Sequence, residues 1–288
     1  MDTLLVLTNL SPAAECARRY AAQLAGPLGA RVVLLHVFQA PALGPEAALL
    51  PASTMPYDRE QVQFALEQIA EQMLVPAVAE VVDGAFGPAL VAAVARLQPR
   101  LLVLGLTSTE GYFEALLANR MLPLLRQGAV PVLLVPTAEG LRAPRRVVVG
   151  LDGEAFRVGK AGAELFQELL ATWQARPVLA CTTTPGSSLS RKEVLRAVQG
   201  SGLLRPDTEL SFQQPLAQTP ETGLLQAATV HQADLLVLLA RRRSYLGQLF
   251  HRSVTARVLR RATQPVLLLP TAEAVAAEVP VTEPGGAV

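Results

Sequence analysis

Arg241-Arg242-Arg243, followed by His251-Arg252, is the cluster with the clearest chemical reach. A guanidinium presents a planar fork of donors that fits phosphate or carboxylate, so these side chains could grip an anion. The plainer reading is a solvated basic loop or a surface meeting an acidic neighbour, because a run of charge does not define a site. Asp152 and Asn9 each follow a short apolar run, the place where open α/β sheets hold ligands. Before Gly-Glu and Leu-Ser-Pro they are also ordinary turn and cap residues. Ligand contact and capping both stay open for Asp152, and capping is preferred for Asn9. Gly105 and Ser108 could line a small polar pocket, with a turn as the plainer role of Gly105. The histidines, His36, His231 and His251, and the cysteines, Cys16 and Cys181, show no metal-ligand spacing. His36 ends an apolar run and reads as a hydrogen-bonded core or rim residue, and both cysteines read as inert buried thiols. Gly186-Ser187-Ser188 has no nucleophile elbow around it. These residues call for neither metal nor catalysis.

The elements that position these residues come from an internal repeat. Pro131-Val132-Leu133-Leu134-Val135-Pro136-Thr137-Ala138-Glu139 recurs as Pro265-Val266-Leu267-Leu268-Leu269-Pro270-Thr271-Ala272-Glu273, with eight of nine positions identical at an offset of 265 − 131 = 134. The same offset carries Leu101-Leu102-Val103-Leu104 onto Leu235-Leu236-Val237-Leu238. At the front of each copy, Leu4 to Asn9 corresponds to Val147 to Asp152 at an offset of 143, so the first copy is longer by 143 − 134 = 9 residues, placed in the Pro-rich segment Gln39 to Pro56. Short apolar runs alternate with longer amphipathic segments, the pattern of βα units in a parallel sheet. Strands are predicted near 3–8, 31–37, 78–82, 100–105 and 131–135, and near 145–150, 176–181, 207–212, 234–239 and 265–269. Helices are predicted near 11–26, 57–74, 86–97 and 112–127, and near 155–174, 188–199, 220–231 and 247–261. Ser11-Pro12-Ala13-Ala14-Glu15 has the cap, proline and acid of a helix start. Phe166 and Trp173, at i and i+7, read as core. Strands without alternation are covered on both faces, so each copy is expected to be a doubly wound three-layer α/β domain. The domains are 1–138 and 145–271, with a linker at 139–144 and a flexible tail at 272–288.

Of the 288 residues, 51% are hydrophobic and 17% charged, a composition of packed rather than disordered chains. The apolar runs are far shorter than the ~18 residues that would span a bilayer, and Met1-Asp2-Thr3-Leu4 shows no basic leader. A cytoplasmic location is the expectation, in keeping with two distant cysteines. The net charge of +1 argues against nucleic acid or a membrane surface as partner. It is unevenly divided: residues 1–138 carry 8 Arg against 11 Asp and Glu, net −3, while 139–271 carry 17 Lys and Arg against 10 Asp and Glu, net +7.

Two units of this length, each opening with a strand that runs into Asn-Leu-Ser-Pro or Asp-Gly-Glu and closing on Pro-Val-Leu-Leu-hydrophobic-Pro, resemble the universal stress protein family in tandem form. The resemblance covers residues 1–271 and implies a Rossmann-like fold, each unit having a five-stranded, mainly parallel sheet. Nucleotide-binding members carry Gly, two residues, Gly, nine residues, Gly, then Ser or Thr, after the fourth strand, and an acid at the end of the first strand near the adenosine. Backbone amides approach phosphates closely where no side chain intervenes. The pattern falls here on Gly105, Ser108, Ala118 and Asn119, with Asn9 in place of the acid, and on Leu239, Arg242, Arg252 and Ser253, with Asp152 keeping the acid. One glycine of three survives in the first copy and none in the second, so classical ATP binding is expected to be lost and no cofactor is expected. The alternative is an adenine-nucleotide switch or slow ATPase in which Asp152, Arg242, Arg252 and Ser253 hold phosphate by a modified route. The resemblance also implies pairing of the two units through their final strands, Pro131 to Val135 and Pro265 to Leu269. An acidic protein partner at the basic second unit, and a homodimer of the tandem chain, stay open.

Overall fold

Strict two-residue alternation builds the strands, and both of their faces are apolar. Leu5, Leu102, Leu134, Val148, Leu236 and Leu268 face one helix layer, while Leu4, Val103, Leu133, Val149, Val237 and Leu267 face the other. The architecture comes from a computed structural model that describes residues 1–39, 58–106, 130–184, 190–241 and 253–273. The first half contains β1 (Thr3–Leu7), α1 (Pro12–Ala25), β2 (Arg31–Phe38), α2 (Arg59–Glu71), β3 (Ala77–Asp83), α3 (Phe86–Leu97), β4 (Leu101–Leu106) and β5 (Val132–Pro136). The second contains β6 (Arg146–Leu151), β7 (Phe156–Val158), α4 (Lys160–Thr172), β8 (Arg176–Cys181), α5 (Arg191–Gln199), β9 (Ser211–Gln213), α6 (Pro220–Val230), β10 (Leu235–Arg241), α7 (Val254–Arg261) and β11 (Val266–Glu273). The expected helix at 112–127 and the extra residues of the first copy's middle lie largely or wholly outside the described residues.

The strand order is β3-β2-β1-β4-β5-β11-β10-β6-β8-β9, with β7 beside β11. This corrects the expectation of two separate five-stranded sheets. Each half does contribute five strands in the doubly wound order, but β5 and β11 run antiparallel side by side, with Val266 opposite Leu134, Leu267 opposite Leu133 and Leu268 opposite Val132. The reason is physical: all six residues are at most 2% exposed, and an apolar strand left as an open edge would present unpaired N–H and C=O groups. The cores continue across this seam, with α1, α4 and α5 on one side and α3, α6 and α7 on the other.

Two local expectations are also corrected. The segment 155–159 is no part of a helix: Phe156–Val158 pairs antiparallel with Thr271–Glu273 of an extended β11, and α4 starts only at Lys160. Gly105 lies within β4 and makes no turn. Its missing side chain admits α1, because a Cβ there would sit 2.2 Å from the Ala13 carbonyl oxygen. Trp173 caps α4, and Phe166 is core.

Candidate functional site

In each half the chain winds first to one side of its opening strand and then to the other, so the switch points lie between β1 and β4 and between β6 and β10. Open α/β sheets bind ligands at the C-terminal strand ends at such points.

In the second half the switch point is spanned by one side chain. Arg241, the last residue of β10, is 6% exposed. Its Nε and Nη2 donate to Asp152 Oδ2 and Oδ1 at 2.8 and 2.7 Å, and its Nη1 and Nη2 donate to the carbonyls of Ala155 and Glu154 at 3.0 Å each. The guanidinium carbon lies 5.9 Å from the centre of the Phe156 ring, and Nη1 is 3.7 Å from Glu154 Oε2. Asp152 follows β6 directly, and its Oδ1 also accepts from the Glu154 amide at 3.1 Å. Gly153, at φ +81°, supplies the left-handed turn that folds this loop back. The segment 152–158 then crosses the ends of β10 and β11 as a strap and closes on β11 through β7. Arg241 therefore corrects the reading of the arginine run as a solvated loop at its first member.

In the first half the equivalent turn is built from uncharged groups. Asn9 Oδ1 accepts from the Ser11 amide at 3.2 Å, and Ser11 Oγ caps α1 by accepting from the Ala14 amide at 3.3 Å. The first turn of α1 rests on Gly105. His36, at the end of β2, places Nδ1 3.0 Å from the Thr8 carbonyl; a carbonyl can only accept, so Nδ1 carries the proton. Burial lowers the His36 pKa against the opposing pull of that hydrogen bond, so near neutral pH the ring is an uncharged rim group. Its register equivalent in the second half is Cys181, opposite Leu151 as His36 stands beyond Leu35. Burial, and next the charge of Asp152, push that thiol up to about 11.

Of the residues singled out by the motif pattern, Ser253 caps α7, its Oγ accepting from the Ala256 amide at 3.1 Å. Asn9 and Gly105 share the β1–β4 mouth, and Asp152 joins Arg241 at the β6–β10 mouth. Ser108, Asn119, Arg242 and Arg252 lie outside the described residues. Sequence reasoning missed Arg241 as an individual and missed the acceptors of the strap. The available signal was positional: the two repeat offsets put Asp152 and Arg241 at adjacent strand ends, where the first copy has Asn9 and Thr107.

Hollows also lie away from both mouths. A cleft of about 580 Å³ runs between α1 and residues 137–141, and one of about 380 Å³ lies on the other side of that segment, against Arg146 and Asp234. Neither is lined by Asn9, Gly105, Asp152, Arg241 or Ser253, and the strand-end chemistry weighs more than volume. Among the described residues no group of three or more His, Cys, Asp and Glu could hold a metal ion, and no helix is long and apolar enough to cross a membrane.

The profile of the universal stress protein family matches residues 1–136 and 144–270. A solved structure of a universal stress protein from Archaeoglobus fulgidus is 18% identical and covers 93% of this chain and 95% of that one, with a TM-score of 0.64. A protein of unknown function from Pseudomonas aeruginosa is 15% identical over 93% of this chain and 92% of that one, at a TM-score of 0.51. A universal stress protein family protein from Arabidopsis thaliana, solved with AMP bound, is 16% identical and covers 50% of this chain and 97% of that one, at a TM-score of 0.33. No curated protein sequence matches.

Proposed function

The chain belongs to the universal stress protein family, with two of its domains in tandem, and on that premise we propose that it is a non-enzymatic stress-response scaffold or regulator that has given up the classical ATP cradle. One observation carries this reading: the acid that the nucleotide-binding pattern keeps, Asp152, has both carboxylate oxygens held by the Nε–Nη2 edge of Arg241. At Gly105, the surviving glycine of the motif in the first copy, the room beside the α-carbon is taken by the Ala13 carbonyl, and the second copy keeps no glycine of the motif. The β5–β11 ladder supports a second part of the reading, that the halves act as one pseudo-twofold unit. The excess of positive charge in residues 139–271 favours an acidic protein as partner, whose complex would weaken steeply with salt.

Calorimetric titration with Mg-ATP and AMP tests the proposal, together with mass spectrometry of small molecules released from protein purified without added nucleotide. The expected result is no co-purified nucleotide and no heat at millimolar ligand. Stoichiometric adenine nucleotide, or micromolar binding, would overturn it in favour of a nucleotide switch.

A further inference from the structure

We propose that the mouth of the second half is a guanidinium receptor whose resident ligand is the chain's own Arg241, an inference that deepens the reading of this crevice as closed to nucleotides. The described groups facing the guanidinium are two carboxylate oxygens of Asp152, the carbonyls of Glu154 and Ala155, the Glu154 carboxylate at 3.7 Å and the face of Phe156. Every one is an acceptor or an electron-rich ring, the set that a planar cation with five N–H donors requires and an anion cannot use. The donors are divided between the carboxylate edge and the two carbonyls, so the site reads the planar fork as well as the charge. A lysine ammonium, compact and with three donors, cannot reach all three groups in one plane.

The ligand also holds the receptor together. Asp152, Glu154, Ala155 and Phe156 all belong to the strap, and beyond Phe156 the strap is paired with β11. Occupation by Arg241 thus fixes the strap across the β6–β10 switch point. An emptied receptor keeps its carboxylates and carbonyls, so it remains a cation site and does not revert to a phosphate site.

The test uses the full chain carrying Arg241→Ala, with thermal unfolding as the readout. The melting temperature should fall by roughly 5–10 °C, since the buried guanidinium of a four-bond cluster is removed and the two carbonyls lose their donors. Millimolar ethylguanidinium should restore at least half of that loss saturably, ethylammonium should not, and the unaltered chain should respond to neither. AMP and Mg-ATP should leave the variant unmoved. Absent rescue, equal rescue by ethylammonium, or nucleotide binding gained by the variant would each overturn the receptor. If Arg241→Ala does not fold, Arg241→Lys decides: a drop of several degrees supports recognition of the fork, and a melting temperature equal to the parent's overturns it. Nucleotide bound by the unaltered chain would defeat the functional reading alone, while a failed rescue would defeat only the receptor.

Discussion

The two halves secure the same strand pair by different means. At the N-terminal ends both use an arginine and an aspartate: Arg100 donates to Asp2 at 2.7 Å beside β1 and β4, and Arg146 donates to both oxygens of Asp234, at 2.8 and 3.1 Å, beside β6 and β10. At the C-terminal ends they diverge. The second half repeats the device with Asp152 and Arg241, so β6 and β10 are bracketed by forks at both ends. The first half has Asn9 in the matching place and lays the backbone of α1 on Gly105. One repeat places a buried charged side chain at its strand ends, with acceptors built around it, and the other a main-chain contact that needs only the absence of a Cβ. The halves share one sheet and differ in the groups set at its strand ends.

The largest effect is expected at the seam. Val266→Lys puts an ammonium where the parent side chain is 0% exposed, and should cost more than about 3 kcal/mol in denaturant unfolding. Val132→Lys should cost a similar amount, because Val132 is equally buried and faces Leu268 across the ladder. Two resolved transitions in either variant, one of them unchanged, would show that the halves are independent and the seam incidental. Next in size is Gly105→Ala, which forces a Cβ to 2.2 Å from Ala13 O and should cost about 1–3 kcal/mol. Faster hydrogen exchange in the first turns of α1 should accompany that loss. Unchanged stability and exchange would mean that α1 does not depend on this contact, and the contrast between the two mouths would fail.

Much of this fold was readable because its determinants are local or repeated. Unbroken apolar runs at Leu4 to Leu7 and Leu101 to Leu104, the Ser11-Pro12 start of α1, and eight shared residues in the final strands all report on nearby geometry. Phe156–Val158 was not readable as a strand, since three residues offer one alternation and its partner lies more than 100 residues away. The merging of two sheets into one depends on which edges meet, and no local pattern states that. The site was harder still. Arg241 opens a run of three arginines, and only its place at the end of β10 separates it from a solvated loop. Gly105 looks like a turn glycine until a helix starting 93 residues earlier is set against it.

A smaller effect is expected from Tyr20, on α1 where it packs against the seam. Its hydroxyl is buried without a hydrogen-bond partner, and burial, with the charge of Asp234 second, raises its pKa. Tyr20→Phe deletes an unsatisfied group at nearly constant volume, so stability should rise by about 1 kcal/mol, seen as a melting temperature higher by roughly 2–4 °C. A fall of that size would mean that the hydroxyl is satisfied through the second half, and that the junction is more polar than the apolar ladder implies.

The smallest effect sharpens the comparison of the two mouths through His36 and its register equivalent Cys181. Burial favours the neutral form in both, and it shifts the base down and the acid up. Cys181, pushed up to about 11, stays a thiol throughout the physiological range and contributes no slope there. His36 has its pKa lowered, so between the ordinary histidine value of about 6.5 and its own lower value the unfolded chain takes up a proton that the folded chain refuses. Stability should therefore decline as the pH falls through that window, and level off below the folded pKa. His36→Gln should flatten this part of the stability curve, while Cys181→Ala should leave the slope as it is and shift only the level. A ring proton resonance of His36 titrating above 6.5 would reverse the sign, and would show that burial does not govern this ring.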